Sequence, residues 1–266
     1  GRTRPAAGST HAFPDPRGLR TGPMSSRTLH RMFDRVPGSY DRWNRLLTLG
    51  LDERWRRQAA SLCLVGGPRR VLDLCTGTGD LALWLRRLAA GGTRVEALDF
   101  SRRMLAQAQG KVPRGGSSTT AAGSDSGAVG WVQADAAAMP YADARFDAVG
   151  IAFAFRNLTF AHPARDRFLA EIRRVLRPGG RLVIAETSQP GSRLLRGLFH
   201  AYLGIAAGQV AALASGHRAA YRYLAYSARH YYDSGQVLAL LVRSGFCQAE
   251  AHPRLLSAVS LYVAVR

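Results

Sequence analysis

Lysine is almost missing from this chain of 266 residues: of its 37 basic residues only Lys111 is a lysine, and the rest are arginine. Acids are scarce too, 18 in all, which leaves a formal charge of +19. That balance favours anionic partners, whether nucleic acid or an anionic membrane surface, unless the arginines are simply spread over a solvated face. Three cysteines, Cys63, Cys75 and Cys247, make neither a C-x-x-C pair nor an even framework, so a disulfide scaffold is excluded and a reducing compartment is expected. No run approaches the ~18 consecutive apolar residues of a membrane-spanning helix. No His, Cys and carboxylate cluster has the spacing of metal ligands, and no internal repeat is present. What the chain does have is 47% hydrophobic residues against 21% charged, enough to bury a full core.

Residues 1–23 carry Pro, Gly and Arg without an apolar period and read as a disordered or upstream-derived segment; an Arg-rich transit peptide is the alternative, although Pro5, Pro14 and Pro16 break the amphipathic helix it should form. Residues 24–266 read as one domain. From Val71 onward short apolar runs alternate with helical stretches: Val71–Cys75, Val95–Leu98, Trp131–Gln133, Ala148–Phe153 and Leu182–Ala185, then Cys247–Ala251 and Leu261–Val265. Strands alternating with helices such as Leu81–Ala89 and Arg165–Leu176 imply parallel βαβ units. Pro178-Gly179-Gly180 is expected to stop the second of these helices and turn the chain into the next strand. Residues 114–130, rich in Gly, Ser, Thr and Ala, read as a flexible insertion. The helical region Ser25–Leu64 and a segment of about 190–220, holding the apolar Leu194–Ala214 stretch, stand outside the alternating core and are candidates for a substrate lid.

The strongest local signal is the strand–turn–helix run from Val71 to Ala82, with Gly77 and Gly79 where backbone must pass close to a ligand. Gly77, Gly79 and Ala82 satisfy G-x-G-x-x-A, so spacing alone does not separate a dinucleotide from S-adenosylmethionine. Charge does. Asp80 in the first helical turn repels a pyrophosphate, whereas Asp73 or Asp80 suits an ammonium or a sulfonium. Asp99, after the second strand, can accept from both ribose hydroxyls, and Asp135, after the third, from an adenine amino group. Each also has a plainer reading, Asp80 as a helix cap and Asp135 as a turn residue.

Further motifs surround this core: Tyr40-Asp41-Arg42-Trp43-Asn44, Leu49-Gly50, Arg54-Trp55-Arg56, Phe153-Ala154-Phe155-Arg156-Asn157-Leu158-Thr159, the segment from Glu171 through Arg177-Pro178-Gly179-Gly180 to Leu182, and Tyr221-Arg222-Tyr223-Leu224. Together they resemble the ubiquinone/menaquinone biosynthesis C-methyltransferase family from about Phe33 to Phe246. The sequence differs from the family pattern at Ala154, at Ala185-Glu186-Thr187-Ser188, and at the C-terminal Arg254–Ser260.

The resemblance implies an α/β fold, a Rossmann-like seven-stranded and mostly parallel sheet with helices on both faces. It also implies S-adenosyl-L-methionine as cofactor and methylation of a ring carbon of a polyprenyl quinol, a demethylmenaquinol or a benzoquinol. Family binding positions fall on Thr78, Asp99, Asp135 with Ala136, and Ala152, beside Asp73, Gly77 and Gly79 of the glycine turn. Tyr40, Arg156 and Asn157 fall on quinol-pocket positions, with Arg156 offsetting phenolate charge. Guanidinium does not deprotonate, so Arg156 is no base; its plainer reading is an ion pair with a sheet-end acid such as Asp99. His200, His217 and His230 are the other candidate bases. The expected setting is cytoplasmic, peripheral to the inner face of an anionic membrane, or the mitochondrial matrix or plastid in a eukaryote, as a homodimer or part of a biosynthetic complex. No metal is expected. The rivals are a methyltransferase for another small molecule or for RNA, which the missing Asn/Asp-Pro-Pro-aromatic turn disfavours, and an inactive cofactor-binding subunit.

Overall fold

The computed structural model describes residues 37–112, 128–211 and 218–266. The proposed leader 1–23, most of the 114–130 insertion and His217 lie outside these residues.

Two helices, α1 (Pro37–Leu47) and α2 (Leu51–Cys63), precede the sheet. They are followed by β1 (Arg70–Leu74), α3 (Asp80–Leu88), β2 (Arg94–Asp99), α4 (Arg102–Gly110), β3 (Val129–Gln133), β4 (Phe146–Ala152), the one-turn α5 (Phe155–Thr159), α6 (Arg165–Val175) and β5 (Leu176–Thr187). Then come α7 (Arg193–Tyr202), which runs on as a π-helical segment Leu203–Ala211, α8 (Arg218–His230), α9 (Ser234–Arg243), β6 (Cys247–Arg254) and β7 (Val259–Val265). The seven strands form one sheet in the order β3-β2-β1-β4-β5-β7-β6. The first five are parallel, and β7 runs antiparallel to both β5 and β6. The expected architecture is therefore present.

Period-two alternation splits the sheet between two cores. Leu72, Leu74, Ile151, Leu182 and Ile184 pack on the face covered by Phe168, Leu169 and Ile172 of α6 and Val237 and Leu241 of α9. Val71, Val95, Ala97, Ala148 and Val183 pack on the opposite face against Ala59 and Cys63 of α2 and Leu81 and Leu85 of α3. Burial on both faces explains why the strands read as near-continuous apolar runs. Helix starts carry local signals as well. Ser101 accepts the Met104 N–H at the head of α4 (3.3 Å), and Asp233 with Gln236 makes a reciprocal capping box on α9.

Two boundaries differ from expectation. Helix α6 stops at Val175, because Leu176 is fully buried and already pairs with Phe146 of β4. Pro178-Gly179-Gly180 then lies inside β5 as a bulge, with Gly179 at φ 72° donating its N–H to the Arg266 carbonyl (3.0 Å), rather than as a free turn. The expected 114–130 insertion also overlaps β3. Val129 is buried and pairs with Val95, and Gly130 pairs with Glu96, so both belong to β3.

The strand order reverses direction between β1 and β4, and ligands of open parallel sheets bind outside the carboxyl ends of the strands at that point. Both cavities described next open there.

Candidate active site

The first cavity is a cleft with about 1050 Å³ of empty space, its open mouth included. Its floor is the turn Cys75–Thr78 after β1, and its walls carry Asp99 and Phe100 after β2, Ala134–Ala136 after β3, and Ala152–Ala154 after β4. The left-handed backbone falls here on two non-glycine residues, Cys75 (φ 57°) and Phe153 (φ 58°), each just past the end of a central strand. Strain of this kind collects at functional sites and persists only where the surroundings enforce it.

Each acid of the cleft has a defined environment. Asp99 is buried and accepts the Gly77 N–H (2.8 Å) and the Ser101 N–H (2.9 Å). Asp135 accepts the Ala137 N–H (2.8 Å), so it is a turn residue and a cleft residue at once. Asp73, buried under the glycine turn, accepts the Thr76 hydroxyl and the Ala82 N–H through one and the same oxygen. Burial pushes its carboxyl up to about 7, with the Asp99 charge adding to the rise, while the two hydrogen bonds and Arg56 oppose it. Asp80 is not a cap: Gly79 occupies that position, and Asp80 pairs with Lys111 (2.6 Å). Lys111 also meets Asp41 of α1 (2.6 Å), which accepts from Thr78 (2.6 Å), so the chain's one lysine ties α1 over the glycine turn.

The two glycines of the turn do different jobs. Gly77 (φ 55°) lines the cleft, and a Cβ there would meet open space. Gly79 (φ 85°) does not line it. A Cβ at Gly79 would sit 2.7 Å from Ala108 and 2.8 Å from Trp131, so it is the residue that lets the turn pack on α4 and β3.

The second cavity, with about 830 Å³ of empty space, lies under a helical cap formed by α1, α2, α7 with its π-helical continuation, and α8. Leu47, Trp55, Phe199, Leu203, Leu224 and Val259 give it apolar walls, and Asn44, Thr48, Arg56 and Arg156 are among its few polar groups. Arg156 is almost fully buried. Its Nε donates to Ser227 (3.0 Å), one terminal nitrogen donates to Glu186 and to Thr187 (2.8 Å each), and its backbone N–H donates to the other Glu186 oxygen (3.0 Å). The second terminal nitrogen has no protein partner among the described residues. Glu186, at the end of β5 and fully buried, is thus the sheet-end acid that holds Arg156; Asp99, which the sequence suggested for that role, sits in the other cavity.

Helix α5 is the partition between the cavities. Its neighbours Arg156 and Asn157 face opposite sides, Arg156 into the second cavity and Asn157 into the first. Asn157 was expected in the acceptor pocket; here it lines the cleft, and its carbonyl accepts from Tyr223 at 3.4 Å. Among the described residues only Arg56 and Phe153 border both spaces. Among the cofactor positions, Asp73, Gly77, Thr78, Asp99, Asp135, Ala136 and Ala152 all line the cleft. Tyr40 lies on α1, whose Asn44 and Leu47 reach the second cavity. His200 and His230 border neither cavity: His200 bonds to Gln189 (2.8 Å), and His230 bonds to the Tyr226 carbonyl (2.8 Å) and stacks on the Tyr226 ring. Sequence reasoning missed Arg56 as a site residue and His162, which is buried on the cleft wall beside Phe168. Among the described residues no group of His, Cys, Asp or Glu could hold a metal ion.

The polar groups decide what the cleft accepts. Its acids present acceptors to an ammonium, to vicinal hydroxyls and to an exocyclic amine, and Leu98, Phe100, Met104 and Ala136 provide apolar walls for a purine. A pyrophosphate would meet Asp80 in the first turn of α3. This sheet with this cleft defines a Rossmann-like S-adenosylmethionine-dependent methyltransferase. The chain belongs to the ubiE/COQ5 methyltransferase family, whose profile matches residues 22–266. It is 41% identical over 215 residues to a demethylmenaquinone methyltransferase of Thermus thermophilus, covering 81% of this chain and 91% of that one. It is 33% identical over 243 residues to a ubiquinone/menaquinone biosynthesis C-methyltransferase of Pseudomonas paraeruginosa, covering 91% and 90%. In fold it is similar to a SAM-dependent methyltransferase of Thermotoga maritima, with a TM-score of 0.56, 18% identity, and 88% and 98% of the two chains covered.

Proposed function

We propose that the chain methylates a ring carbon of a polyprenyl quinol, a demethylmenaquinol or a related benzoquinol. The observation that carries this reading is the second cavity: a mostly apolar space with the buried Arg156 guanidinium in its wall, adjoining the cofactor cleft across Arg56 and Phe153. An aromatic ring with a hydroxyl and a greasy tail matches such walls; a nucleobase on a polyanionic backbone does not. The names of the Thermus and Pseudomonas relatives support the same class of acceptor.

S-adenosylmethionine, when bound, supplies an electrophilic methyl. The chain's own residues bring the acceptor to it and shape its charge. Apolar walls exclude water and orient the ring, which is where a large part of such a rate enhancement originates. Carbon becomes nucleophilic as the quinol hydroxyl gives up charge to the ring, and the uncommitted nitrogen of Arg156 stabilises the oxygen that carries the developing negative charge. Glu186, Ser227 and Thr187 fix the guanidinium plane, so the side chain needs no reorganisation at that moment. Methylation exchanges one ring C–H for C–CH3, and the proton leaves to water, since Arg156 cannot take it.

The mouth of the second cavity suits a lipid substrate. Leu46, Leu49, Leu194, Leu198, Ile205 and Leu256 are exposed and lie close in sequence to Leu47, Phe199, Tyr202 and Leu255, which line the cavity itself. With Arg193 and Arg196 on the same helix, this rim supports peripheral docking on an anionic membrane from which the quinol enters. No described helix is long and apolar enough to cross a membrane.

The test is turnover. Purified protein given S-adenosylmethionine and reduced demethylmenaquinone should yield S-adenosylhomocysteine and a ring-methylated product, and binding to anionic vesicles should weaken with salt. Cofactor binding with no methylation of either naphthoquinol or benzoquinol would overturn the acceptor assignment.

A further inference from the structure

The charge ledger of the cofactor cleft is one-sided. Asp73, Asp80, Asp99 and Asp135 line it, and Arg56 is its one Lys or Arg side chain among the described residues. S-adenosylmethionine ends in an amino acid, so its tail carries a carboxylate beside the ammonium. Asp99 and Asp135 repel that carboxylate, while Asp80 is paired with Lys111 and burial raises the Asp73 carboxyl to about 7. Two of the turn amides are already committed, the Gly77 N–H to Asp99 and the Gly79 N–H to the Thr76 carbonyl (2.9 Å).

Arg56 is built into its place. On α2 the residues Asp52, Trp55, Arg56, Ala59, Ala60 and Cys63 form the buried stripe, and an arginine in such a stripe demands compensation. Asp52, one turn earlier, pairs with it and is itself held by the Thr48 hydroxyl (2.8 Å). Burial would raise the Asp52 carboxyl, but the Arg56 charge, the bonds from Thr48 and Arg56 and the Arg45 charge outweigh it and hold it below the ordinary carboxylate value. The Arg56 guanidinium lies 5.2 Å from the centre of the Phe153 ring, the strained residue that also borders both cavities.

We infer that Arg56 receives the carboxylate of the methionyl tail. Through that contact the tail is drawn to the wall shared with the second cavity, so Arg56 positions the donor relative to the acceptor. The inference rests on the first cavity being the cofactor site.

The experiment compares S-adenosylmethionine with its decarboxylated analogue, which lacks only the carboxylate, by calorimetry on the full chain. Wild type should bind the complete cofactor ~10–100-fold more tightly, the equivalent of a charge-assisted hydrogen bond. Arg56→Gln should bind the two ligands with nearly equal affinity, and Arg56→Lys should restore part of the difference. Thermal melting identifies a variant that has lost its fold, and the wild-type comparison stands without any variant. Equal affinity of the wild-type protein for both ligands would overturn the inference while leaving the cofactor site intact, and so would an Arg56→Gln protein that still discriminates fully. Failure of the wild-type protein to bind either ligand would overturn the site itself.

Discussion

The cofactor cleft and the acceptor cavity share a wall but are made in opposite ways. The cleft is local in sequence: each strand of the β1–β4 group ends and, within a few residues, delivers its acid or its turn, so Asp73, Gly77, Asp99, Asp135 and Ala152 arrive at one sheet edge by topology alone. The acceptor cavity is assembled from segments up to some two hundred positions apart, from Asn44 on α1 to Val259 on β7, and side chains of the helical cap form most of its apolar wall. A sheet edge can present polar groups at fixed spacing because the backbone spacing is fixed. A cap can change its walls without disturbing that edge, which explains how similar sheets serve unrelated acceptors.

The sharpest way to break this division is to remove the anchor of the cap side. Glu186→Ala leaves the buried Arg156 charge without its partner and should cost about 3–5 kcal/mol of stability, read by denaturant unfolding. A change below 1 kcal/mol would show that the Arg156–Glu186 pair is not what ties α5 to β5.

Next is Arg156→Lys, which keeps the charge but loses the planar fork shared among Glu186, Thr187 and Ser227. Turnover should fall ~10²–10³-fold, the usual loss for one oxyanion partner, with affinity for S-adenosylhomocysteine unchanged. Equal losses in both quantities would place Arg156 in the structural frame instead of the chemistry. Asp99→Ala should do the reverse, weakening S-adenosylhomocysteine by ~1–3 kcal/mol in calorimetry while the variant stays folded.

The pH dependence sharpens the contrast further. Asp73 is raised from an ordinary 3.8 to about 7 by burial, so the folded protein holds a proton there that the unfolded chain releases. The free protein should therefore lose stability as pH rises from about 4 to about 7. Affinity for an ammonium-bearing ligand should move oppositely, increasing as Asp73 ionises through neutrality, and Asp73→Asn should flatten that profile. The smallest effect is expected at Lys111→Ala. Its partly exposed pairs with Asp41 and Asp80 are each worth ~0–1 kcal/mol, so melting should shift only slightly.

The same contrast explains what was legible beforehand. The alternation of strands and helices, the glycine turn and the strand-end acids were readable because each rests on a few consecutive residues. The Arg156–Asn157 pair was readable only in part: sequence shows that the two are neighbours, but a single helical turn aims them into different cavities. Glu186 stands thirty positions from Arg156, and nothing in the Ala185–Ser188 run marks it as the partner; only its place at the end of β5 could have suggested it. Arg56 was visible as part of the Arg54-Trp55-Arg56 run, yet its meaning depends on α2 packing across the sheet edge. Pro178-Gly179-Gly180 misled because the residues of a tight turn also make a bulge when the buried Leu176 is already paired.

The central claim is that donor and acceptor occupy separate, adjoining cavities. The most direct measurement is calorimetric titration of S-adenosylhomocysteine into protein already saturated with a short-chain demethylmenaquinone. The account predicts that both ligands bind at once, with cofactor affinity equal to or greater than that of the free protein. Mutual exclusion of the two ligands would contradict it.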